Sequence, residues 1–245
     1  MKTGRTFGVE LELNGNLNHL CDKIGFASNY EYTTYKHYEG YVEIELQPGW
    51  KVVYDGSCGC EFVSPPLVDT TPIMRQICAI KSSGFPIGFR DTGLHVHVGA
   101  QDLGRTNLIE MAQFCRHFSK SIYSFVHPSR VKSEYCQPMQ MSDVKLRADY
   151  DISKRMHGDI RYRGCNITAY DKHGTIEFRY SEGTLDYNKI CALVDLFIKI
   201  TDYVANNKGN VKVKSPRTKE QKRRFLLNLI GVRDETRTVL LNTKY

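Results

Sequence analysis

The sequence predicts an α+β fold built on a largely antiparallel sheet, and three observations carry that prediction. Segments 6–13, 41–46, 50–54, 60–64, 93–99 and 174–180 are short, alternate apolar with polar residues and are rich in β-branched or aromatic side chains, as half-buried strands are. Two long stretches instead repeat apolar residues every three or four positions, the period of an amphipathic helix. The two kinds of segment do not alternate regularly, whereas each parallel crossover would need about a dozen connecting residues or more.

The first helical stretch, 107–125, places Leu108, Met111, Cys115, Phe118, Ile122 and Phe125 on one stripe, with Asn107 and Glu110 spaced as a capping box. The second follows Asp186, an N-cap residue type, and aligns Ile190, Leu193, Val194, Phe197, Thr201 and Val204. Phe225 to Ile230 seeds a shorter helix. Asp55-Gly56-Ser57 reads as a turn between strands, and Pro65-Pro66 ends the strand that follows. Tandem repeats, low-complexity tracts and long Gly/Ser-rich linkers are missing, so a single domain over 1–245 is expected, with a basic C-terminal extension at about 206–245.

A chain of 245 residues with 41% hydrophobic and 11% aromatic content can form a sizeable core. Its apolar runs fall short of the roughly 20 residues of a membrane span, and MKTGRTFGVELEL lacks a signal-like apolar segment. A cytoplasmic protein without a membrane partner is expected. The eight cysteines are scattered, so reduced structural thiols are the simple reading. Cys58 and Cys60 flank one glycine with no second pair at zinc-site spacing, and an altered turn geometry or a redox-sensitive pair is the lesser reading of them. The 34 basic and 27 acidic residues give a net charge of +7. The excess is concentrated in 208–224, which carries eight Lys or Arg and the single acid Glu220; a solvated loop leading into a surface helix is favoured over a nucleic-acid patch.

The polar faces of the strands carry the chemistry. In Phe7-Gly8-Val9-Glu10-Leu11-Glu12-Leu13 the odd positions are apolar, so both carboxylates share the other face, about 6.6 Å apart. In Gly93-Leu94-His95-Val96-His97-Val98-Gly99 both imidazoles alternate with apolar residues, a pattern that suits metal coordination. Thr175-Ile176-Glu177-Phe178-Arg179-Tyr180 sets Glu177 and Arg179 on one face, and Glu61 adds an acid just after the Asp55 turn. Each element alone reads as an exposed strand face, and Val42-Glu43-Ile44-Glu45-Leu46 repeats the first pattern, so pattern does not choose between the two acid pairs. Carboxylates lining one cavity would repel unless cations neutralise them, and hard oxygens beside an imidazole suit Mg²⁺ or Mn²⁺.

In order, GVELEL (8–13), DGSCGCEFVSPPL (55–67), TGLHVHVG (92–99), RYRGCN (161–166) and TIEFRYSEGTLD (175–186) resemble the amidoligase family of the glutamine synthetase and glutamate–cysteine ligase superfamily. The resemblance implies a curved, mainly antiparallel sheet with helices on its convex face, and an acid-lined concave face that binds ATP and divalent ions. By motif position, Glu12 and Glu61 resemble ligands of the metal nearer the acceptor. Glu10, His95 and Glu177 resemble ligands of the metal bridging the ATP phosphates, and Arg179 resembles the arginine that contacts the transferred phosphoryl group. Arg130, and Arg163 with Asn166, stand where the family has further polar residues for phosphates or the acceptor carboxylate. His97 is expected behind the metal ligands, and Asp55 near a metal-bound water or the amine. The resemblance selects Glu10 and Glu12 over Glu43 and Glu45, which fall in a variable stretch.

The implied activity is an ATP-dependent carboxylate–amine ligase acting through an acyl phosphate, on small-molecule, peptide or protein substrates whose pockets lie in loops at about 14–50 and 126–160. The alternatives are a kinase of the same superfamily fold, a metal-dependent hydrolase using His95 and His97, and a non-catalytic nucleic-acid module using 208–224.

Overall fold

The structure, a computed structural model, describes residues 1–14, 32–38, 41–46, 49–82, 92–141, 159–207, 213–214 and 216–243, with backbone alone in 32–38 and 41–46. The predicted substrate loops therefore lie partly, and the 208–212 part of the basic segment wholly, outside the described residues. The chain forms two compact units, Met1–His95 with Glu182–Ile190, and Val96–Ser181 with Cys191–Tyr245. The α+β class predicted from the sequence is what the chain adopts.

The first unit is an antiparallel sheet. Its strands are β1 (Lys2–Asn14), β2 (Tyr32–Tyr38), β3 (Tyr41–Leu46), β4 (Trp50–Asp55), β5 (Gly59–Val63) and β6 (Leu67–Asp69), in the order β2-β3-β4-β5-β1, with β6 also on β1. Alternation explains the burial: Phe7, Val9, Leu11 and Leu13 of β1, and Cys60 and Phe62 of β5, are buried on one face. Trp50 stacks on Phe62 at 5.1 Å. The β4–β5 turn forms where it was expected, since Asp55 accepts the Ser57 N–H at 2.7 Å and Gly59 takes a φ of 102° that favours glycine. Helix α1 (Thr71–Ser82) follows and buries Ile73, Ile77 and Ile80.

The strand β7 (Gly93–Gly99) begins in this unit and continues into the second. There the helices are α2 (Arg105–His117), α3 (Ser119–Ile122), α4 (Ala169–His173), α5 (Tyr187–Asn206, whose first turn belongs to the first unit), α6 (Lys219–Ile230) and α7 (Asp234–Asn242), and β8 (Cys165–Asn166) pairs antiparallel with β9 (Thr175–Glu182). The stripe predicted over 107–125 is wholly buried, but as three pieces: α2 stops at Phe118, α3 follows, and Tyr123–Phe125 is a 3-10 turn. Asn107 is not the cap; it sits in the first turn, and its Oδ1 accepts the N–H of the N-cap Gly104 at 3.4 Å. Asp186 does cap α5, accepting the N–H groups of Asn188 and Lys189 at 2.9 and 3.2 Å. On α5 Phe197 stacks on Phe178 of β9 at 4.4 Å and 6°, which turns the Ile176, Phe178 and Tyr180 face of β9 into the core and the Glu177 and Arg179 face away from it.

Helix α6 starts six residues before the predicted Phe225, at Lys219, capped reciprocally by Thr218 and Gln221. The basic segment is only partly a solvated face, because Arg223 is buried over Phe125 and donates to the carbonyls of Leu240 and Thr243. Among the described residues, no helix is long and apolar enough to cross a membrane.

Candidate metal centre and guanidinium cluster

In the first unit the β1–β5 register sets Glu12 directly opposite Glu61, and Glu10 opposite Val63. Two ionised carboxylates facing each other across antiparallel strands repel. His95, 1% exposed, meets both acids of β1: its Nδ1 lies 3.3 Å from Glu10 Oε2 and its Nε2 3.2 Å from Glu12 Oε1. One ligand atom each from Glu10, Glu61 and His95 falls within 4.8 Å of the others. Two carboxylates and an imidazole within that span fit a divalent cation of the Mg²⁺ or Mn²⁺ kind. Glu12 also accepts the Gly93 N–H, so it fixes the start of β7 and aims the imidazole that faces it. The resemblance divides Glu12 and Glu61 from Glu10 and His95 between two ions, whereas here Glu61 groups with Glu10 and His95.

The negative charge of this face is felt by the neighbouring thiols. Burial pushes the Cys58 thiol far up, and Glu12, Asp55, Glu61 and Cys60 push it further. Burial and Glu61 raise Cys60 to about 12. Both are free and buried, with Cys58 donating to the Cys60 carbonyl at 3.4 Å and Cys60 to the Leu13 carbonyl at 3.6 Å. That is the environment of inert structural thiols, not of a reactive redox pair. Asp55 commits Oδ1 to the turn; burial raises its carboxyl, but hydrogen bonds from Ser57 and Cys58 outweigh it and hold the pKa below the usual value.

The second unit brings together the remaining predicted residues. The register pairs Asn166 of β8 with Glu177 of β9. Asn166 Nδ2 donates to Glu177 Oε2 at 2.6 Å, and Arg179 Nη1 donates to Glu177 Oε1 at 2.5 Å. Asn166 is itself locked by Thr168, whose N–H and hydroxyl donate to its Oδ1 at 3.0 and 2.6 Å. Arg179 Nε donates to the Tyr135 carbonyl at 3.0 Å, and Arg130 Nη2 to the Arg179 carbonyl at 3.1 Å. Arg163 donates to the Gln137 side chain, and Gly164, next to it, exchanges backbone bonds with Gln137 and Arg179. All three arginines are less than 10% exposed. Three buried guanidiniums in one hydrogen-bonded network form a cationic site suited to an oxyanion. His97 bonds Thr175 Oγ1 through Nδ1 at 3.0 Å and packs edge-on against His173.

Sequence reasoning missed Gln137, Tyr135 and Thr168. They hold the predicted residues through a carbonyl, an amide or a hydroxyl on irregular backbone, and such contacts leave no periodic signal.

The first unit thus carries a cation-sized set of two acids and an imidazole on its strands, and the second carries Arg179 on the strand that bears Glu177, with Arg130 and Arg163 on short segments bonded to it. The chain belongs to the amidoligase family, whose model, described as "Putative amidoligase enzyme", matches residues 3–201. That membership makes it an enzyme of the ligase type. A comparison with curated proteins gave no match.

Proposed function

We propose that the protein is an ATP- and Mg²⁺- or Mn²⁺-dependent carboxylate–amine ligase with a glutamine synthetase-like catalytic fold. A substrate carboxylate oxygen attacks the γ-phosphorus and ADP leaves. An amine then attacks the acyl carbon of the acyl phosphate, loses a proton and expels phosphate, leaving an amide. The observation that carries this reading is the Glu10, Glu61 and His95 cluster, a cation-sized set of donors within the stretch matched by the amidoligase family.

Glu10, Glu61 and His95 would hold the cation, with Glu12 orienting His95. A bound divalent ion would neutralise phosphate charge during transfer. Arg179, held in one orientation by Glu177 and the Tyr135 carbonyl, would contact the transferred phosphoryl group. Arg130 and Arg163, with Asn166, would receive further phosphate oxygens or the acceptor carboxylate. The metal role of Glu177 and the contact of Asp55 with the amine are carried over from the resemblance. Fixed cations of this kind act by positioning and charge stabilisation, so no nucleophilic side chain is required.

The test is a mass-spectrometric screen of ATP with carboxylates and amines, comparing wild type with Glu177→Gln. The expected product is an amide-linked conjugate with ADP and phosphate, lost in the variant. A stable phosphorylated acceptor without condensation would make the protein a kinase, and turnover without ATP a hydrolase.

A further inference from the structure

Tyr135 and Tyr162 are 49% and 40% exposed, although their backbone carbonyls belong to a buried polar network. Their rings stand 5.8 Å apart at 76°, so they form an open corner, and the Arg161 guanidinium lies 5.9 Å from the centre of the Tyr162 ring. The backbone of this corner is part of the guanidinium cluster. The Tyr135 carbonyl accepts from Arg179 Nε, and the Tyr162 carbonyl accepts at 2.8 Å from the N–H of Gln137, the residue that holds Arg163.

We infer that this corner is the seat of the nucleobase of the bound nucleotide. The inference rests on the ligase reading above and adds residues that it does not use. A flat heterocycle stacked on one ring presents its edge to the other, the arrangement aromatic pairs prefer. The charge favours a nucleotide over a simple carboxylate: one carboxylate is satisfied by one guanidinium, whereas Arg161 stands at the Tyr162 ring, Arg179 is tied to the Tyr135 carbonyl and Arg163 to Gln137, so several guanidiniums lead away from the corner, as a base tethered to a chain of phosphates requires. Stacking on tyrosine is indifferent to which base is present, so the corner would give affinity more than base selectivity.

The probes are ATP and inorganic tripolyphosphate, titrated with Mg²⁺ by calorimetry into wild type, the double variant Tyr135→Ala/Tyr162→Ala and Tyr135→Phe/Tyr162→Phe. Both side chains are exposed, so the variants should melt as the wild type does. The alanine pair is expected to weaken ATP about tenfold or more while leaving tripolyphosphate unchanged, and the phenylalanine pair to restore ATP affinity. If wild type binds ATP and the alanine pair binds it equally well, or loses both probes in parallel, the corner does not seat the base and the ligase reading stands. If wild type binds neither probe, the nucleotide reading fails and the corner with it.

Discussion

Glu12 and Glu61 face each other across β1 and β5, and that opposition predicts how each behaves without and with a cation. In metal-free buffer, Glu61→Gln should raise stability by a few tenths to about 1 kcal/mol, because it removes a like-charge pair. With Mn²⁺ at about a hundred times its dissociation constant, wild type should gain about 2.7 kcal/mol and the variant much less. Equal Mn²⁺ shifts in urea melts would remove Glu61 from the ligand set. Arg179→Met should destabilise by about 3–5 kcal/mol in the same assay, since it leaves the buried Glu177 without its cation. Alkylation at pH 8 should label the exposed Cys78 quickly and Cys58 and Cys60 only on unfolding. By local pattern the acids of β1 were legible as a face, and only the ordered motifs picked them out as site candidates. Glu10/Glu12 and Glu43/Glu45 share one local pattern, and what separates them is register: Glu12 opposes Glu61, whereas Glu45 occupies the position opposite Lys51. Pairing between distant strands is not written in either strand alone.

Among the elements, six strands and the long helix after Asp186 were readable because alternation and the three-to-four period reflect burial directly, whereas β2, β6 and β8 were not read from the sequence. The break at Phe118 was not readable, since the apolar stripe continues unbroken through it, nor was the start after Gly104, since the stripe begins only at Leu108. The contact of Gly164 with Tyr180 was equally invisible. A Cβ at Gly164 would meet Tyr180 Cε1 at 2.5 Å and Tyr123 Oη at 2.8 Å, and the Gly164 carbonyl accepts the Arg179 N–H. Gly164→Ala should therefore cost about 1–3 kcal/mol and also displace Arg179, lowering activity beyond the loss of folded protein. Unchanged turnover per folded molecule would uncouple the two. At the start of α1, Asp69 accepts the N–H and hydroxyl of Thr71, both at 2.8 Å, which holds its carboxyl at about 2. The unfolded value is about 3.9, so this stabilisation is complete above about pH 4 and disappears as pH falls toward 2. Asp69→Asn should flatten that part of the acid limb in denaturation profiles, and an unchanged limb would contradict the assignment.

For the molecule as a whole, the family match over residues 3–201 contains every predicted site residue, and the basic helix α6 lies beyond it. The predicted site residues are thus confined to the matched stretch, while the +7 net charge is weighted toward the remainder. Ordered motifs made the ligase legible in the sequence, because five short polar-faced segments in one order are far more specific than any one. The substrates stayed illegible, because the loops expected to hold them carry no periodic or motif signal. The central claim is that a carboxylate is activated by phosphorylation before an amine captures it. Once the screen has supplied a substrate pair, the carboxylate labelled with ¹⁸O tests that claim most directly. The account predicts one labelled oxygen in the released phosphate for each amide formed; amide formation with unlabelled phosphate would contradict it.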